Sequence, residues 1–147
     1  RDYKVTGVQT CALPILNRSE AIKDAKRVIE EFDVRTPGVN VLSSALSGGN
    51  QQKFIVGREL SGNPKFVVAA QPTRGVDVGA QAIIWDFLVQ ARANGAGVLL
   101  ISADLDELFA LSDRLAVIYN GSIVAEMSPS STTPEKLGLA MTGAKSA

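Results

Sequence analysis

Two short apolar runs, Phe66 to Ala70 (FVVAA) and Val98 to Ser102 (VLLIS), constrain this chain more than any other feature. Neither alternates polar with apolar residues, so each reads as a strand buried on both faces, as in a parallel sheet. Between them, Gly79 to Asn94 places Ile83, Ile84, Phe87, Leu88 and Ala91 on one helical face and closes on Asn94-Gly95. Strand, helix and strand in that order require a parallel crossover, which is right-handed. The expected class is α/β, built on a parallel sheet core.

The flanking segments fit that class. Ser19 to Phe32 repeats Ile22, Ala25, Ile29 and Phe32 at helical spacing, with Ser19 and Glu20 suited to its start. Asp33 to Ala45 is turn-rich, broken at Pro37-Gly38. A second helix is expected from Ser47 to Leu60, with Gly62 as its C′ residue and Pro64 forbidding continuation. Asp104 caps a short helix to Leu111. Leu115 to Tyr119 and Ser122 to Glu126 flank Asn120-Gly121, the strongest local signal for a hairpin. A last helix begins at Thr133-Pro134-Glu135, with proline in the first helical position, and runs to Thr142. The sheet is expected to be incomplete, because no strand of its kind precedes the first helix.

Composition narrows the chemistry. Lys+Arg and Asp+Glu balance at 15 each, which argues against a general polyanion-binding surface and against a nucleic-acid partner. One cysteine, Cys11, allows neither an internal disulfide nor a cysteine zinc site. The chain has no histidine, so the commonest general base is missing. No apolar run approaches the roughly 20 residues that span a bilayer.

The second helix opens on Leu46-Ser47-Gly48-Gly49-Asn50-Gln51-Gln52-Lys53. Ser47 is a good N-cap, and the glycines let backbone N–H groups approach a ligand. With the positive end of the helix dipole, such a start suits a phosphate; alone, it is more often an ordinary turn before a capped helix. All eight residues also match the signature motif of ATP-binding cassette (ABC) ATPases, and the Asn-Gln-Gln-Lys extension resembles the form of simple-sugar and nucleoside importers.

The resemblance covers residues 19 to 143 and implies the C-terminal part of a P-loop nucleotide-binding domain: a helical signature subdomain, a parallel core, and a C-terminal hairpin plus helix. It implies ATP held between two such domains, with Ser47, Gly48, Gly49 and Gln51 facing the γ-phosphate of a site completed by the partner. No G-x-x-x-x-G-K-[ST] occurs, so the phosphate-binding loop is missing and a fragment is expected. Phe66 to Thr73 aligns with the family's Walker B segment, but Ala70 stands for the Mg²⁺-holding aspartate and Gln71 for the glutamate that polarises water. Ala103 stands where the family has its switch histidine. In Ala-Gln-Pro-Thr-Arg-Gly the chain resembles the second, degenerate domain of nucleoside-type importers. Asp77 matches the loop facing the partner domain, or is a simple turn aspartate; Arg74 pairs across that interface or is solvated. Lys53 and Arg58 are expected to be solvated, and Trp85 and Phe87 to pack in the core.

The division expected is 16–62 for the signature subdomain, 63–128 for the core, and 129–147 for a Ser/Thr/Pro linker and terminal helix. Val5 to Ile15 (VTGVQTCALPI) resembles the in-frame translation of a sequencing adapter, so residues 1–15 are expected to be non-native. The implied cofactors are ATP and Mg²⁺, held in a composite site that comes mostly from the partner domain. The implied partners are the first nucleotide-binding domain of the same polypeptide, transmembrane permease subunits and, indirectly, a solute-binding protein. The implied location is peripheral, on the cytoplasmic face of the bacterial inner membrane. Two rival readings are a non-catalytic regulatory or scaffolding domain, and a soluble ABC ATPase of DNA repair or translation.

Overall fold

A computed structural model describes residues 17–143. The expected non-native segment and Cys11 lie outside them. The elements are α1 (Arg18–Glu31), α2 (Gly48–Leu60), β1 (Phe66–Ala70), α3 (Val78–Ala93), β2 (Gly97–Ile101), α4 (Leu105–Leu111), β3 (Leu115–Tyr119), β4 (Ser122–Met127) and α5 (Pro134–Met141). Single 3₁₀ turns occupy Ser43–Ala45 and Pro129–Ser131.

The parallel crossover is present: β1 pairs with β2 in the register Phe66↔Gly97 to Ala70↔Ile101, and α3 connects them. On one face Ala69 is buried and Val67, Val98 and Leu100 are half-buried. The other face is open, with Phe66 62% and Val68 57% exposed, and Leu99 and Ile101 about half so. The expectation of strands buried on both faces is therefore corrected. An unbroken apolar run records a need for cover on both sides, and the described residues supply one side.

β3 and β4 form a separate antiparallel hairpin with a register shift after Val117. Asn120 (φ 47°) and Gly121 (φ 78°) are both left-handed, as a two-residue turn with native strand twist requires. Leu137 of α5 is buried with Leu115 and Val117, closing a small core over one hairpin face. Among the described residues β2 and β3 are not paired to each other, and a groove of about 600 Å³ separates them, lined by Leu99, Ile101, Leu111 and Val117.

The second core lies where α1, α2 and α3 meet. Val28, Phe32 and Val34 are buried there, with Phe54, Leu60 and Phe87 against them. Phe87 meets Phe32 edge-on, ring centroids 4.4 Å apart at 61°. The first helix begins one residue earlier than its periodicity predicts: Asn17, not Ser19, is the cap, its Oδ1 accepting from the Glu20 N–H at 3.3 Å. At the end of α2 the left-handed residue is Asn63 (φ 47°), not Gly62, and its N–H reaches the Leu60 carbonyl at 3.1 Å.

Lys53 also departs from expectation. Its side chain is only 7% exposed, and its ammonium donates to the Asp33 carbonyl (2.9 Å) and to Asp33 Oδ2 (3.1 Å). Asp33 takes a left-handed conformation (φ 47°) just after α1, which turns both oxygens toward α2. The Lys53 hydrogen bond, then its charge, hold the Asp33 carboxyl below its ordinary value of 3.8, and Arg35 adds to the effect. Arg58 is exposed as expected, pairing with Glu59 at 2.6 Å.

The packing of α2 and its tie to Asp33 each set an expected outcome for stability. A Cβ on Gly57 would lie 2.6 Å from Phe32 and 2.8 Å from Val28. Gly57→Ala is expected to destabilise by about 1–3 kcal/mol in denaturant unfolding, whereas Gly62→Ala, whose Cβ meets nothing within 4 Å, should not. Because the Asp33 carboxyl is depressed in the folded state, its contribution is present above 3.8 and fades as pH falls through and below that value. Asn tolerates the same left-handed backbone, so Asp33→Asn should lower stability at pH 7 and remove this part of the acid sensitivity, read from unfolding across pH 2–7.

Candidate functional site

The start of α2 is built by its own side chains. Ser47 is extended (φ −61°, ψ 155°), and its Oγ accepts from the Asn50 N–H at 3.5 Å and from Asn50 Nδ2 at 2.9 Å. Gly48 and Gly49 come next as the first helical residues, whose N–H groups have no acceptor within the helix. Ser47 and Gly48 are exposed, and Gly49 is buried. A hydroxyl, a backbone N–H and the positive helix end thus face outward together, an arrangement that fits an anionic phosphate.

The glycines also answer a packing need. A Cβ on Gly49 would lie 3.0 Å from Ala80 Cβ and 3.4 Å from Asp77 Oδ2, and one on Gly48 would lie 3.4 Å from the Gly75 carbonyl. The start of α2 is therefore pressed against the start of α3. Gln51 is half-buried, and its Nε2 donates to the Leu46 carbonyl at 2.8 Å, bracing the chain as it enters the helix. Asn50 Oδ1 accepts from the Arg35 N–H at 2.8 Å, tying the preceding loop to the same helix start. The amide run is thus a brace as well as a motif.

Asp77 is exposed and caps α3, with Oδ1 accepting from the Ala80 N–H at 2.9 Å. Its other oxygen lies beside Gly49, so the signature residues and Asp77 adjoin on one surface. Arg74 is exposed in the same turn and makes no ion pair among the described residues.

Ala70, Gln71 and Ala103 come together at the carboxyl end of the two parallel strands. Ala70 pairs with Ile101, the Gln71 N–H reaches the Ile101 carbonyl at 2.7 Å, and Ala103 lies two residues further on. Open α/β sheets bind ligands at that edge. Here the edge offers a methyl group, an amide and a second methyl group. Ala70 has no atom to ligate a hard cation, and among the described residues no group of three or more His, Cys, Asp or Glu side chains could hold a metal ion. The chain's own edge does not fit Mg²⁺, whereas the start of α2 fits a phosphate.

Sequence reasoning missed one polar contact near this edge. Trp85, expected to pack in the core, is half-buried and donates its indole N–H to the carboxylate of Glu107 at 3.0 Å. An acidic residue in the first turn of a helix ordinarily reads as a solvated partner of the dipole, so nothing local marks Glu107.

No protein-family model matches the chain. It is 50% identical over 132 residues to the guanosine import ATP-binding protein NupO of Bacillus subtilis (strain 168), across 90% of this chain and 26% of that protein. It is 47% identical over 132 residues to the glucose import ATP-binding protein TsgD13 of Haloferax volcanii, across 87% of this chain and 24% of that one. The chain spans about a quarter of the length of these relatives. A crystal structure of a nucleotide-free ATP-binding cassette from an ABC transporter superposes with a TM-score of 0.66 at 29% identity, over 81% of this chain and 47% of that one. No helix among the described residues is long and apolar enough to cross a membrane. The fold is that of an ABC ATPase cassette, and over the span it shares with them the chain is similar to ATP-binding proteins of nucleoside and sugar import.

Proposed function

We propose that this chain is the C-terminal part of the second nucleotide-binding domain of an ABC importer ATPase for simple sugars or nucleosides. It lends Ser47, Gly48, Gly49 and Gln51 to an ATP site whose phosphate-binding loop, carboxylates and Mg²⁺ belong to the first domain of the same polypeptide. One contrast supports the reading: the start of α2 presents an exposed serine and glycine that fit a phosphate, while Ala70, Gln71 and Ala103 put neither a carboxylate nor an imidazole at those three positions of the chain's own strand edge.

In this reading residues 16–62 are signature subdomain, 63–128 the carboxyl half of the core, and 129–147 linker and terminal helix. The open face of β1 and β2, and the unpaired edges of β2 and β3 across their common groove, support an incomplete sheet. Asp77, exposed beside Gly49, faces the first domain. The domain's own nucleotide site binds ATP without turning it over, because a glutamine orients water without taking its proton. The assembled protein works with transmembrane permease subunits and, through them, a solute-binding protein. It sits peripherally on the cytoplasmic face of the bacterial inner membrane.

In the intact polypeptide, Ser47→Arg places a long cation in the phosphate cradle and is expected to lower ATP turnover by at least about a hundredfold, the scale for losing a built anion site. Turnover near that of the parent would refute the assignment. Restoring the missing groups with Ala70→Asp and Gln71→Glu should change steady-state ATPase activity little, since turnover belongs to the other site.

A further inference from the structure

Glu107 is fully buried in the first turn of α4, and no ion pair among the described residues includes it. Its Oε1 accepts from Thr73 Oγ1 at 2.8 Å and from Trp85 Nε1 at 3.0 Å. Its Oε2 is buried without a hydrogen-bond partner. Burial of such a group is unfavourable, and an apolar side chain of similar volume would serve packing at least as well.

What the carboxylate does supply is a connection. Thr73 lies in the turn between β1 and α3, Trp85 on α3, and Glu107 on α4. The turn is already tied at both ends, by Gln71 bonding to Ile101 and by Asp77 capping α3. Thr73 is its middle, and Glu107 is its hydrogen-bonded anchor. On the other side, Asp104 Oδ1 accepts from the Asp106 and Glu107 N–H groups, and the Asp104 N–H donates to Ser102 Oγ at 3.0 Å. A hydrogen-bonded path therefore runs from the segment holding Ala103, through Glu107, to the turn holding Gln71 and Asp77.

We propose that Glu107 is a positioning residue that locks the turn Gln71–Asp77 to the start of α4, so that both loops at the carboxyl edge of the sheet meet the partner domain as one unit. The bonds on Oε1 use neutral donors, and the indole N–H of Trp85, fixed in direction by its ring, holds the carboxylate so that the Thr73 hydroxyl has a defined acceptor. This rests on the proposed function, in which Asp77 faces the other nucleotide-binding domain.

The test uses steady-state ATPase kinetics of the full-length protein with its first domain. Thr73→Val keeps shape and removes the donor; Glu107→Leu removes the acceptor; Glu107→Gln keeps an amide oxygen in place of Oε1. Thr73→Val and Glu107→Leu are expected to lower kcat at least about fivefold with KM for ATP within about twofold, the signature of lost positioning rather than lost binding. Glu107→Gln should recover most of that loss, and the double variant Thr73→Val/Glu107→Leu should be no worse than Glu107→Leu alone. Ile84→Val, in the fully buried part of α3, serves as a control for loosened packing and should leave kcat near the parent value. Unchanged kcat in Thr73→Val, or an equal loss in Ile84→Val, would overturn the positioning role. Should Glu107→Leu fail to fold, Thr73→Val still decides. Ser47→Arg in the same assay separates the two readings: retained turnover there removes the domain assignment and this inference with it, whereas abolished turnover beside an unaffected Thr73→Val removes only the positioning role.

Discussion

The structure depends on how closely α2 can approach its neighbours. Two buried glycines set that approach: Gly57 admits Phe32 and Val28 of the α1 end, and Gly49 admits Ala80 at the start of α3. Lys53, between them in sequence, reaches back to Asp33 and fixes the loop that leaves α1. The helix whose start fits a phosphate is therefore clamped along its length by absent side chains and one buried cation. Its first residues, Ser47 and Gly48, stay exposed although Gly48 already lies close to the Gly75 carbonyl. Packing and presentation are one solution: Gly49, which seats α2 on α3, is adjacent to the exposed Gly48.

The second dependence is at the sheet. Parallel strands require cover on both faces and partners at their edges. Here β1 and β2 have α3 on one face, and the other face exposes Phe66, Val68, Leu99 and Ile101. The hairpin has its own small core under α5, yet β3 and β2 turn unpaired edges to one groove. Long unpaired edges with apolar faces are an association hazard in a free domain. In the proposed function their complement lies elsewhere in a longer polypeptide; the relatives are about four times as long as the span they share with this chain.

Local chemistry was legible in the sequence and distant chemistry was not. The caps at Ser47, Asp104 and Thr133 and the Asn120-Gly121 turn all act within three residues, so residue type and order sufficed. The placement of Ser47 at a helix start, and of Ala70, Gln71 and Ala103 at the carboxyl ends of two strands, was legible for the same reason. Lys53 was not, because its partner is 20 residues away and is oriented by a left-handed Asp33 that sequence does not announce. Strand exposure depended on what covers the sheet, which no strand sequence contains. Glu107 was invisible because its partners are 34 and 22 residues distant, on elements that only the crossover brings together.

Gln71 joins these threads. It is held in the left-handed region at φ 50°, where a residue other than glycine, asparagine or aspartate costs energy and the surrounding structure must over-determine it. Its N–H bond to Ile101 and the Thr73 bond to Glu107 provide that restraint. A strained backbone at the carboxyl edge of a parallel sheet is usual where a side chain does chemistry, yet this side chain is an amide beside a methyl group. The turn geometry therefore has its use at the far end of the turn: the same seven residues deliver Asp77 to the cap of α3 and to the flank of Gly49. In the proposed function the scaffold of a hydrolytic loop is separable from its chemistry, and here it serves to place Asp77 beside the start of α2.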